Sequence, residues 1–190
     1  NMNRGYFHKF QIKDVVFLAI MSAVALATCA VMPLVISLQP LIFGISQLVT
    51  ALQIGVFFAI GLYKVRKPGS LLIMALMMGL IQLMMSPPMF LSSVLNGILI
   101  ELIVLLLFRG YEKDAAVFCA AMLHTPLSLP FNYLYNRLVK GADSPLAAVA
   151  DRAPLATVGM TLAVVAVSAL GALIGIKIAR ELKKSGVLKK

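Results

Sequence analysis

The stretch SLLIMALMMGLIQLMMSPPMFLSSVLNGILIELIVLLLF, Ser70–Phe108, decides the fold. Its one charged side chain is Glu101, and Pro87 and Pro88 divide it into two apolar runs, Ser70–Met85 and Leu91–Phe108. A run of about 20 apolar residues crosses a bilayer as a helix. Cations bracket the pair: Lys64, Arg66 and Lys67 come before it, Arg109 and Lys113 after it. Loops rich in Lys and Arg stay in the cytoplasm. The stretch therefore reads as two crossings that leave the cytoplasmic face and return to it.

Working outward, the same reading adds four spans, Val15–Leu34, Gly44–Tyr63, Ala115–Leu138 and Pro154–Ile178. Arg4, Lys9 and Lys13 precede the first, and Lys177, Arg180, Lys183, Lys184, Lys189 and Lys190 close the chain. On this topology 14 of the 17 basic residues are cytoplasmic, leaving Arg137, Lys140 and Arg152 outside. The expectation is an all-α integral membrane protein, a bundle of six transmembrane helices with cytoplasmic N and C termini. It forms one domain over 1–190, with a lead-in at 1–14 and a basic tail at 179–190.

Composition narrows the function. At 190 residues and 61% hydrophobic, the chain has no room for a soluble catalytic or nucleotide-binding domain. The net charge of +10 flanks helices without interleaved aromatics, which fits anionic lipid rather than nucleic acid. Cys29 and Cys119 fall inside spans without metal-ligand spacing and read as packing residues. A phosphate loop, a His-Glu-x-x-His pair and a Ser-His-Asp set are missing, and the histidines are His8 and His124 alone. With one deep acid and no internal repeat, a self-sufficient ion-driven transporter is poorly served.

Polar side chains inside the spans are the informative minority. Glu101 and His124 sit at similar depth, and two titratable groups in one apolar enclosure suit a polar organic ligand. The alternative for Glu101 is a structural carboxylate tied to a backbone group. Gln39, Gln47, Gln82, Asn96, Asn132, Tyr133 and Asn136 crowd toward the outer side, with Met84, Met85 and Met89 near them. Amides and phenols match the donors and acceptors of a heterocycle. An outward-opening site built from Glu101, His124, Asn96, Gln47, Gln82, Asn132, Tyr133 and Asn136 follows. Ser86-Pro87-Pro88 suggests an outer loop dipping into the protein, and Pro126 and Pro130 a kink or unwinding in the fifth span. Ala19, Ala23 and Ala27 place three small side chains on one face of the first span, against which another helix packs closely.

Six spans with both ends inside and the Ala19, Ala23, Ala27 stripe resemble the substrate-binding S components of energy-coupling factor (ECF) transporters. Lys64–Tyr111 is similar to the branch for thiamine and its hydroxymethylpyrimidine precursor, the YkoE type. The shared features are Arg66-Lys67-Pro68-Gly69, Ser86-Pro87, Gly97, Glu101-Leu102 and Phe108-Arg109. The resemblance implies a subunit in a prokaryotic cell membrane that captures a vitamin or precursor. Its partners would be a transmembrane coupling protein, met through the alanine stripe, and two ATPases that use the ATP; this chain would hold no cofactor and hydrolyse nothing. Tryptophan is absent, where that branch often has one after Ser-Pro, which suggests a ligand less cationic than thiamine. A neutral aminopyrimidine and pyridoxine both fit. A stand-alone transporter and a structural membrane partner are the alternatives from other classes.

Overall fold

The computed structural model describes residues 9–141 and 143–188, with the side chain of Pro33 excepted. Arg4, His8, Lys189 and Lys190 lie outside the described residues. The described chain forms α1 (Ile12–Thr28), α2 (Met32–Ile36), α3 (Ile45–Val65), α4 (Ser70–Leu83), α5 (Pro87–Phe108), α6 (Asp114–Val139), α7 (Pro145–Arg152) and α8 (Pro154–Lys184). Three of them, α3, α5 and α8, are long and apolar enough to cross a membrane. At about 1.5 Å per residue the 14 residues of α4 reach only about 21 Å, and α6 is long but interrupted by polar side chains.

Ion pairs show which helix ends lie together. Arg66, just after α3, pairs with Asp114 at the start of α6, and Arg180 near the end of α8 reaches the same carboxylate at 2.6 Å. Lys67 meets Asp14 in the first turn of α1 at 2.6 Å. The start of α1, the turns before α4 and α6, and the end of α8 thus share one end of the bundle, called here the basic end. Partly exposed pairs of this kind add on the order of 1 kcal/mol each or less. Apolar packing carries the fold.

Helix α3 runs through the middle, against α8, α6 and α1, while α4 packs on α5 and α1. Glycines let α3 and α8 approach backbone to backbone. A methyl group at Gly171 would sit 2.5 Å from the Leu52 carbonyl oxygen, and one at Gly55 would sit 2.9 Å from that of Ser168. A core of Leu18, Phe58, Leu62, Leu71, Met74, Ile100, Val104 and Val117 fills the basic half. Phe43, Ala51, Leu129, Leu146, Ala150 and Val164 form a smaller one toward the other end.

Four local expectations are corrected. The first span stops at Thr28, and its last part is the separate helix α2. Pro87 and Pro88 open α5 instead of forming a dipping loop, because the first turn of a helix has no use for the missing N–H. Helix α6 continues through Pro126 and Pro130 and does not unwind there. Pro126 cannot donate to the Met122 carbonyl, and the buried Ser168 of α8 donates to that oxygen instead, at 2.7 Å. A freed backbone acceptor is tolerated in an apolar setting when a neighbour satisfies it in this way. Lastly, the connection between the fifth and sixth expected spans carries α7, and α8 runs past Ile178 to Lys184.

Candidate functional site

At the end opposite the basic one, α2 to α6 and the start of α7 surround a cavity of about 580 Å³. Helical spacing puts its side chains on single faces: Met89, Ser93 and Asn96 on α5; His124, Ser128, Asn132 and Asn136 on α6; Gln47, Thr50 and Ile54 on α3. Met32 and Ile36 of α2 close one side. Asn96 lies nine residues into α5, about 14 Å from its first turn, so the cavity reaches well into the bundle.

The floor is polar and buried. Asn96 is 1% exposed, Thr125 3% and His124 4%. The Asn96 amide nitrogen donates to the His124 carbonyl at 3.4 Å, and the imidazole lies 4.6 Å from the Phe58 ring. Asn96 Oδ1, both imidazole nitrogens of His124 and Thr125 Oγ1 have no hydrogen-bond partner among the described residues. Each such group costs about 1–3 kcal/mol of lost hydration. Three of them converging on one cavity form the arrangement that a polar ligand satisfies.

The rim differs, because its polar groups hold one another. Ser46 accepts from Gln39 and donates to Gln47 Oε1 at 2.8 Å. The Asn136 amide donates to Asn132 Oδ1 at 2.9 Å and accepts from Ser144 at 3.1 Å. Lys140 is the one charged side chain among the described lining residues.

Of the residues singled out in the sequence, His124, Asn96, Gln47, Gln82, Asn132 and Asn136 line this cavity together. Tyr133 does not. Its hydroxyl donates to Asp151 of α7 at 2.7 Å, and Arg137 pairs with the same carboxylate, so it pins α7 to α6. Met85 and Met89 face the cavity, whereas Met84 is 90% exposed. Ala23 and Ala27 are exposed on α1 and Ala19 is half-buried, on the face away from buried Leu18, Ser22 and Ala25. The residues that sequence reading passed over are chiefly Ser46, Thr50, Ser92, Ser93, Ser128, Ser144 and Lys140. Helical register with Asn96 and Asn132 was the available signal for those on α5 and α6.

Glu101 requires a correction, since it shares no enclosure with His124. One carboxylate oxygen accepts the Gly69 N–H at the head of α4 at 2.6 Å, and the other accepts the Tyr111 hydroxyl at 2.9 Å. A carboxylate suits the positive end of a helix, and Glu101 thereby clasps the two turns of the basic end. Burial, with the Glu101 charge beside it, pushes the Tyr111 phenol well above its ordinary range and keeps it a donor. Glu101→Ala strands the buried Tyr111 hydroxyl and the half-buried Gly69 N–H, so we expect a loss of about 2 kcal/mol, roughly 4–8 °C in melting temperature. Ligand affinity at the cavity should be unchanged. A melt and a titration on the same preparation check both halves.

Among the described residues, no group of three His, Cys, Asp or Glu side chains is placed to hold a metal ion. A solved crystal structure of an S-component of an ECF transporter is similar in fold, with a TM-score of 0.64 and 23% sequence identity. The likeness covers 95% of this chain and 89% of that one. No curated protein matches. A family model does match, over residues 12–184, and its description is a hypothetical bacterial integral membrane protein (Trep_Strep). The chain belongs to that family and is an all-helical integral membrane protein.

Proposed function

We propose that this protein is the substrate-capture subunit of an ECF-type vitamin importer. The observation that carries the reading is the cavity whose floor presents Asn96, His124 and Thr125 without internal partners, in a fold similar to an S-component. Six helices, α1, α3, α4, α5, α6 and α8, cross the cytoplasmic membrane of a prokaryote. The basic end faces the cytoplasm, with both termini on that side, and the cavity opens outward. The cargo is a small ring compound, most closely hydroxymethylpyrimidine or a related thiamine precursor, with pyridoxine or another water-soluble vitamin as the alternative. Asn96 Oδ1 takes a ring amine, while the imidazole and Thr125 meet ring nitrogens or hydroxyls. Gln47, Gln82, Asn132 and Asn136 close around the other edge.

Delivery needs other subunits. A transmembrane coupling protein docks on the Ala19, Ala23 and Ala27 face of α1, and two ATPases supply the energy from ATP. Docking must favour a state of lower ligand affinity, since only differential affinity can drive release.

Native mass spectrometry of the purified chain, titrated with hydroxymethylpyrimidine, thiamine and pyridoxine, tests the cargo. One-to-one binding of one ring supports capture, and binding of none removes this cargo assignment. Ala23→Leu tests the coupling face. Ligand affinity should stay within about twofold of the parent, because substitutions at exposed positions change little. Recovery of the complex with the coupling subunits, and uptake, should fall severely. Normal assembly would remove α1 as the docking face.

A further inference from the structure

We infer, building on the capture role but departing from the neutral rings named above, that the cargo carries a carboxylate or phosphate on an arm, read at the cavity mouth by Lys140, while its uncharged ring occupies the floor. No Asp or Glu lies among the described lining residues, and Lys140 is the one cation there. At this end of the chain Arg137, Lys140 and Arg152 stand against Asp143 and Asp151, and Arg137 is paired with Asp151. Asp143 is exposed and outside the lining. With Arg137 paired to Asp151, Lys140 and Arg152 stand against Asp143 alone, an excess of one cation, and Lys140 is the one at the mouth.

Backbone dipoles add to the same sign. Helices α3, α5 and α7 begin at the rim, contributing Ser46, Ser86 and Ser144 to the lining, and a helix start carries partial positive charge. Helices α4 and α6 end there, and Lys140, at the C-cap of α6, offsets the negative end of that helix. The buried, unpartnered Asn96, His124 and Thr125 independently mark the cavity as a ligand site.

Shape supports an arm. From Thr125 to Lys140 is 15 residues of α6, about 22 Å along the axis, and even an extended lysine does not bring its ammonium to a ring on the floor. About 580 Å³ holds on the order of twenty waters at about 30 Å³ each, more than one small ring displaces. The Lys140 ammonium lies 5.9 Å from the Tyr135 ring centroid, which guides it along the cavity wall.

Two measurements test the inference. In the first, purified protein is titrated with matched pairs that differ in the charged group at the end of an arm: biotin and biotinamide, lipoate and lipoamide, flavin mononucleotide and riboflavin. The anionic member of any pair that binds should do so about tenfold more tightly or better, and Lys140→Met should erase that margin without weakening the neutral member. Carboxylate and phosphate arms distinguish the two sources of charge. Equal or tighter binding of the neutral member, or a margin that survives Lys140→Met, overturns the inference.

The second needs no cargo. Ser92→Cys in a Cys29→Ala, Cys119→Ala background is modified with sulfonatoethyl and with trimethylammonioethyl methanethiosulfonate, each rate normalised to free cysteine. The anionic reagent should be favoured about threefold or more, and Lys140→Met should remove the preference. Parity or a preference for the cation overturns the charge assignment. If the reagents favour the anion and no pair binds, the vitamin-capture reading fails and the charge assignment stands.

Discussion

Gly175→Ala is expected to destabilise the protein by about 2 kcal/mol, although the same exchange in an open helix stabilises. Alanine gains about 1 kcal/mol over glycine in a helix interior. Against that, a methyl group at Gly175 falls on the Val56 carbonyl and 2.7 Å from Ala59 Cβ, where α8 meets α3. Both obstacles belong to the backbone or its first side-chain atom, so neither can swing aside, and overpacking of this kind costs about 3 kcal/mol. The clash wins. Gly159 supplies the control on the same helix, since a methyl there meets nothing within 4 Å. Gly159→Ala should raise the melting temperature slightly while Gly175→Ala lowers it by several degrees, both read as loss of the monodisperse peak after heating in detergent. Equal shifts of one sign would show that α3 and α8 are not in backbone contact.

The second large effect is on ligand binding. Asn96→Leu replaces the floor amide with an apolar side chain of similar size, leaving the ligand donor that met Asn96 Oδ1 without a partner. An unpaired buried group costs about 1–3 kcal/mol, and affinity should fall about 10- to 100-fold. The unliganded protein should become more stable, because Asn96 Oδ1 is already dehydrated without compensation. His124→Phe should behave alike, and Tyr133→Phe, outside the cavity, should leave affinity unchanged. Opposite signs for binding and stability distinguish a ligand site from a structural network, in which both would fall.

The long apolar helices were readable in the chain because their runs stop at cations or prolines, and Lys64, Arg109 and Pro154 punctuate them. Half of the site was readable on the same ground, since an amide such as Asn96 or Asn132 inside an apolar run needs a partner. Glu101 shows where that logic ends. Counting residues along α5 gives its depth, but not that the short α4 begins low enough for Gly69 to meet it. Ser86-Pro87 and Ser144-Pro145 were helix starts, a signal that competes with proline as a breaker and prevails when the proline falls in the first turn. Lys140 was counted for topology, which is blind to the direction of a side chain.

Helix α1 and α2 are joined by three residues, Cys29, Ala30 and Val31. The first helix carries the exposed alanines, and the second supplies Met32 and Ile36 to the cavity wall. One stiff arm with a short elbow thus touches both the partner-facing surface and the ligand. On the capture reading, a coupling subunit gripping the arm would couple to the wall wherever the elbow transmitted strain, and cargo seated against the wall would oppose it. The two events then share one free energy, so the factor by which docking loosens the cargo is also the factor by which cargo loosens docking. An empty subunit would then hold its partner more tightly than a loaded one.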